Sequence, residues 1–310
     1  MIAKAIYKLH EQLADQEPRA HLGASQIGHK CERALWYGFR WAFKSSLSGR
    51  MLRLFETGNL AEVRLIKELR LAGYYVVDRE NGHQLGFKEH DGHFAGSVDG
   101  KIQLEGYKTG QWYLLEIKTH SLKSFEYLKV NGVKKAKPVH FAQMQTYMRH
   151  FDLKKGLYLS VCKDNEEIYE EIISYSNKNA IDLRAKALRV IQSENVPERL
   201  SNVIKGCFEC ERCDYQKNCH RLDSSQLPEF NCRTCIHSSP STNQSWKCVK
   251  QRNEIQEQRG CSEHLFIPAL VPADFIGAND ENEFQLQFRT IEGKTIINKV
   301  GKGLEVLENA

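Results

Sequence analysis

The stretch FAGSVDGKIQLEGYKTGQWYLLEIKTH, Phe94 to His120, decides how the chain is read. Its last third, WYLLEIKT, has the composition of a strand yet carries Glu116 and Lys118 two residues apart. Successive strand side chains point to opposite faces, so Leu115 and Ile117 share one face while Glu116 and Lys118 share the other, roughly 6 to 7 Å apart. One face is expected to be core, leaving the other for chemistry. Asp99, in GSVDG, lies about one hairpin upstream, so a second carboxylate is expected from the neighbouring strand.

Outward from this stretch the periodicities alternate. A short first helix leads to a loop that enters an aromatic amphipathic helix near Cys31. Arg50–Leu71 has helical periodicity, with Gly73 as its C-cap and with Gly58 and Glu62 on one face at i, i+4. Four strand-like segments follow, YYVVDR, HQLGFKE, HFAGSVDGKIQLE and WYLLEIKT, punctuated by Gly82, Gly92, Gly100 and Gly110. Pro138–Phe151 reads as a helix with Pro138 in its first turn, then come the strands KGLYLSVCK and EIYEEIISY and a helix from about Asn177 to Ser193. This order predicts an α/β fold with a mixed central sheet flanked by helices. Beyond Pro197 the texture becomes cysteine-rich. A boundary near Arg221 divides residues 1–221 from a smaller appendage, 222–310, whose segment 282–300 reads as a terminal β-hairpin.

The composition bounds the function. With 310 residues, 41% of them apolar, the chain can build a large core, and its net charge of +5 suits a polyanionic partner without establishing one. No run approaches the roughly 18 to 20 apolar residues of a membrane span, and the N-terminus lacks an uninterrupted apolar region, so a soluble, cytoplasmic protein with no membrane partner is expected. Eight of the ten cysteines crowd between Cys207 and Cys261, while Cys31 and Cys162 stand apart. In such a chain, clustered C-x2-C pairs favour metal ligation over disulfides.

Convergent carboxylates beside a lysine suit phosphodiester hydrolysis. A hard divalent cation polarises the phosphoryl oxygen, lowers the pKa of an attacking water and neutralises the leaving group. Asp99 and Glu116 would hold Mg²⁺ or Mn²⁺, the Ile117 carbonyl would add a backbone oxygen and Glu62 would complete the shell. Lys118 would orient the water or meet the developing charge. Taken singly, Glu116 and Lys118 read as an ion pair on a wet strand face, and Asp99 as a turn former beside Gly100. Their order together is what favours catalysis.

The arrangement Asp99…Glu116-x-Lys118 resembles the PD-(D/E)XK nuclease superfamily. GNLAE, Gly58 to Glu62, looks like the first helical motif of its RecB/Cas4-like branch, and QMQTY, Gln143 to Tyr147, looks like that branch's QxxxY motif. The resemblance spans about Cys31 to Cys219. It implies a restriction-endonuclease-like core and a metal-dependent DNA exonuclease, with Gln143 and Tyr147 touching DNA phosphate or orienting Lys118. It further implies work on single- or double-stranded ends in phage or prophage recombination, replication or processing, in a bacterial host cytoplasm and alongside a recombination or replication protein. A non-catalytic DNA-binding or recruitment module and a structure-selective endonuclease are the rival readings.

The same branch is similar in its cysteines, one before the core and C-x2-C-x5-C after it. By that resemblance Cys31, Cys210, Cys213 and Cys219 would bind a [4Fe–4S] cluster that staples the domain. The residues alone leave open a local four-cysteine zinc site of Cys207, Cys210, Cys213 and Cys219. Downstream, Cys232, Cys235, Cys248 and Cys261, spaced C-x2-C-x12-C-x12-C, are compatible with structural Zn²⁺, with His264 or His237 able to replace one sulfur; free thiols are the plainer reading. The basic run Lys129–Pro138 reads either as a solvated loop or as a contact to DNA backbone. Trp36, Tyr37, Phe39 and Trp41 are expected in the core rather than stacked on bases, and His140 and Gln145 as packing or solvent residues.

Overall fold

Alternating apolar residues build a five-stranded mixed sheet at the centre of the molecule, which is a computed structural model describing residues 1–14, 17–44, 46–105, 110–255, 259–279 and 284–307. Its strands are β1 (Tyr75–Val77), β2 (Gly100–Gln103), β3 (Trp112–His120), β4 (Lys155–Cys162) and β5 (Ile168–Ser174), in the spatial order β5-β4-β3-β2-β1. Neighbours are antiparallel except β3 and β4, which run parallel, with Glu116 opposite Tyr158 and Lys118 opposite Ser160. A parallel pair needs a crossover. The longer helices in chain order are α1 (Ile2–Leu13), α2 (Glu32–Phe39), α3 (Gly49–Leu71), α4 (Leu122–Ala136), α5 (Pro138–His150) and α6 (Asn177–Gln192), and α4 with α5 supplies that crossover.

The sheet is covered on both faces. Leu65 and Ile66 of α3 pack on Leu115, Ile117 and Leu159, as the alternation predicts. The opposite face is not left to solvent: Met144, Tyr147 and Met148 of α5 pack with Leu114 and Tyr158. Glu116 therefore lies inside the protein, because at its position the strand has neighbours on both edges and helices above and below.

Two further segments differ from the sequence reading. HFAGSVDGKIQLE is not one strand but two, broken at Val98-Asp99. Phe94–Ser97 pairs with Leu22–Gly23 and Gly86–Glu89 in a separate three-stranded sheet, while Gly100–Gln103 joins the central one. Asp99 thus stands where the chain passes between the sheets. The basic run is not a loop but the end of α4, which buries Phe125, Leu128 and Val133. The lysines concealed its apolar stripe, and Gly132 (φ 69°, ψ 167°) kinks it. The Val133 N–H at the kink donates to Glu171 Oε2 at 2.7 Å.

Residues 222–310 hold a short sheet, Ser238–Pro240 with Trp246–Cys248 and Asn253–Ile255, and a four-stranded antiparallel meander. The expected hairpin, Gln285–Arg289 with Thr295–Lys299, is the middle pair of that meander, between Asp274–Asn279 and Gly303–Leu307. Its first two residues, Asn282 and Glu283, lie outside the described ones. Trp246, Ile267 and Leu270 belong to the main core cluster, so this segment packs on the α/β core. Among the described residues no helix is long and apolar enough to cross a membrane.

Candidate active site

Asp99 and the β3 residues Glu116 and Lys118 meet beneath α5. Asp99 Oδ2 accepts a 2.6 Å hydrogen bond from the Ile117 N–H, which pins the carboxylate beside β3. Lys118 Nζ lies 3.7 Å from the same oxygen, donates to the Ile117 carbonyl at 3.1 Å and rests against Glu116 Oε1. Glu116 is 0% exposed and Asp99 8%, whereas the Lys118 side chain keeps 26% of its surface. Glu116 Oε1 is ion-paired with Lys118, while Oε2 finds no hydrogen-bond donor among the described residues. A fully buried carboxylate left this way is expensive for the fold, and such an atom in a native protein calls for a ligand or a function.

The electrostatics place Glu62 of α3 with this group. Burial pushes its carboxyl up to about 7, Asp99 adds to the rise and Lys118 opposes it. Burial likewise drives Glu116 up, with Lys118 pulling against it. Burial alone would lower Lys118, but the Glu116 and Asp99 carboxylates outweigh it and hold the ammonium charged. On α5, Gln143 Nε2 donates to the Tyr147 hydroxyl at 3.3 Å, and burial with the Glu116 charge raises the phenol. Gly96 makes room for that hydroxyl, since a Cβ there would stand 2.9 Å from it. Gln145 lies off the site, donating to the Ser174 carbonyl and accepting from the Ser176 N–H.

Ser160 and His120 were not singled out in the sequence, and His140 was read there as a packing or solvent residue. Ser160 Oγ, in register with Lys118, is buried without a partner. His120 and His140 both reach the Tyr158 hydroxyl. Only the i, i+2 alternation that places His120 on the face of Glu116 and Lys118 was a signal for any of them.

Within each cysteine set the thiols feel one another's charge. Cys31 caps α2, and the thiol of Cys210 is pushed up to about 12 by its contact with Cys207, then by burial and the charges of Cys31 and Cys219. Cys207 and Cys210 have sulfurs 2.9 Å apart, and Cys213 feels burial first and then Cys31 and Cys219. Five thiols share this locality, enough sulfur for a cluster using Cys31 or for a local site using Cys207. In the second set burial, then Cys261, Cys235 and Cys248, carries Cys232 up to about 11. His264 sits between Phe230 and Phe266, its Nε2 3.0 Å from the Asn231 carbonyl. No cysteine is in a disulfide. Among the described residues no three His, Cys, Asp or Glu side chains are arranged to hold a metal ion; what is present is donor chemistry, sulfur in two places and oxygen at Glu116.

No family model matches the sequence, and no curated protein does. Solved structures with partial likeness include an alkaline exonuclease from Laribacter hongkongensis, 17% identical over 56% of this chain and 87% of that one, with a TM-score of 0.40. The same exonuclease in complex with dAMP is 16% identical over 60% and 89%, also at 0.40. A protein designated SSO0001 is 17% identical over 73% and 98%, at 0.40. Likeness of this degree carries no argument about activity, and the functional reading rests on the side chains themselves.

Proposed function

We propose that the protein is a Mg²⁺- or Mn²⁺-dependent deoxyribonuclease, acting as an exonuclease on DNA ends. The observation that carries this reading is Glu116: wholly buried beside Asp99, ion-paired with Lys118 through Oε1, its Oε2 without a donor among the described residues. Carboxylate and carbonyl oxygens from Glu62, Asp99, Glu116 and Ile117 are the donor type that a hard cation takes. When bound, the ion would polarise the phosphoryl oxygen and lower the pKa of an attacking water. Lys118 would orient that water and meet charge developing on the phosphoryl group. Gln143 and Tyr147 would hold the strand.

The cysteine sets fit thiophilic centres. Cys31, Cys210, Cys213 and Cys219 would hold a [4Fe–4S] cluster, and Cys232, Cys235, Cys248 and Cys261 a structural Zn²⁺. Both roles are structural. The setting we propose is phage or prophage DNA recombination, replication or processing in the bacterial cytoplasm.

The test is digestion of end-labelled linear DNA beside a covalently closed circle with Mg²⁺, Mn²⁺ or EDTA, using wild type and Glu116→Gln. Metal-dependent loss of the linear form alone, absent in the variant, is expected. Cutting of the circle would replace the exonuclease with an endonuclease. DNA binding without cleavage by metal-replete protein would leave a binding module.

A further inference from the structure

Tyr158 is wholly buried on β4, in register with Glu116, and its hydroxyl is held from two sides. His120 Nε2 approaches it at 2.9 Å from the β3 face that carries Glu116 and Lys118, and His140 Nδ1 approaches it at 2.9 Å from the first turn of α5. The two imidazoles are nearly parallel, with ring centroids 5.7 Å apart and 12° between planes. We propose that His120, Tyr158 and His140 form a proton relay serving the Lys118 side of the site and delivering the proton that the leaving oxygen of a phosphodiester needs. The chemistry rests on the nuclease reading; the relay itself rests on the hydrogen-bond geometry.

A phenol has one proton, so between two imidazole nitrogens it donates to one and accepts from the other, while a neutral imidazole carries one N–H. If His140 Nδ1–H donates to Tyr158, the phenol must donate to His120 Nε2, and both rings are Nδ1–H tautomers. If His120 Nε2–H donates instead, both are Nε2–H tautomers. The phenol therefore locks the two rings into the same tautomer. A proton taken up at His140 Nε2 moves the Nδ1 proton to the phenol oxygen and the phenol proton to His120 Nε2, and it releases the His120 Nδ1 proton. One proton enters, one leaves, and both tautomers invert. Exchange with solvent at the outer nitrogens restores the first state.

The surroundings keep the rings neutral, as this requires. Burial, then Lys137, Lys163 and Lys118, lowers His120 to about 4; burial, then Lys118, His120 and Lys137, lowers His140 to about 3. The Tyr158 phenol is raised by burial and, more weakly, by Glu116 and Glu171, with Lys118 opposing, so it stays protonated.

Two measurements test the relay. Long-range proton–nitrogen spectra of the imidazoles should show matching tautomers at His120 and His140 in the wild type, uncoupled in Tyr158→Phe; a mixed pair in the wild type overturns the relay. This readout needs no nuclease activity, so it stands even if wild-type protein cuts no DNA, a result that would sink only the nuclease reading. For activity, Tyr158→Phe and His140→Gln should each slow cleavage of ordinary DNA by about 10²-fold, the scale of general acid catalysis. On oligonucleotides with sulfur in place of the bridging 3′ or the bridging 5′ oxygen, one of the two linkages loses a thiolate, which needs no proton. There the variants should fall within about threefold of wild type. Equal losses on all three substrates would mean that the three side chains only pack.

Discussion

Arg40 Nη1 donates to the Arg233 carbonyl at 3.2 Å, and both guanidiniums are buried beside the same indole, that of Trp246, at 5.1 and 4.9 Å. Arg233 stands between Cys232 and Cys235, stacks 3.7 Å from the Trp41 ring and donates to the Phe39 and Ala20 carbonyls. Arg40 closes α2, the helix that Cys31 begins. Burial lowers both, Arg40 to about 10 and Arg233 to about 9, so each remains charged at neutral pH. Arg233→Met keeps the apolar stem but orphans buried carbonyls, and should cost about 2 kcal/mol or more, read as a lower denaturation midpoint. A midpoint unchanged within error would mean that the stack contributes nothing to joining the cysteine-rich segment to the core.

Glu116→Gln keeps the shape of the side chain and removes the charge a cation needs. Cleavage should fall by about 10³-fold or more while DNA binding, measured by mobility shift, is retained. Activity within tenfold of wild type would dismiss Glu116 from the reaction.

With Glu62 in the proposed metal shell, metal affinity would depend on pH. Its folded pKa near 7 lies above the ordinary 4.5, so the fold favours the protonated form. The resulting stability is fully present below about 4.5 and is lost as pH rises through about 7 in metal-free protein. Metal binding needs the charged form, so Mg²⁺ affinity measured calorimetrically should rise from pH 6 to pH 8, and Glu62→Gln should flatten the rise. An equally steep rise in the variant would exclude Glu62 from the metal shell.

Gly96→Ala would put a Cβ 2.8 Å from Ala24 Cβ and 2.9 Å from the Tyr147 hydroxyl. Neither neighbour is free to move, since both are buried. The substitution should destabilise by roughly 1–3 kcal/mol and lower activity by displacing Tyr147. Wild-type activity and stability together would show that the ring has room to spare.

Cys31→Ala separates the two readings of the first cysteine set. With a cluster, anaerobically purified wild type contains iron and acid-labile sulfide, and the variant loses both. With a local zinc site on Cys207, Cys210, Cys213 and Cys219, the variant keeps its zinc and neither protein contains iron.

The chain's local periodicities determined most of the element order: α3, α5, α6 and the strands of the central sheet other than β2 follow from apolar spacing and turn residues read without coordinates. That Leu115 and Ile117 share a core face, and that Trp36, Tyr37 and Phe39 lie in the core, was likewise legible, because the side a side chain takes follows from its neighbours in sequence. Helix α4 was obscured by its lysines and by Gly132. What only tertiary structure decided was burial and convergence. That Glu116 is dry depends on α5 closing over β3; that Asp99 meets it depends on the chain leaving one sheet for another at Val98-Asp99; and that His120, Tyr158 and His140 share one hydroxyl depends on three elements separated along the chain. Such relations arise from long-range packing, for which spacing along a single chain carries no signal.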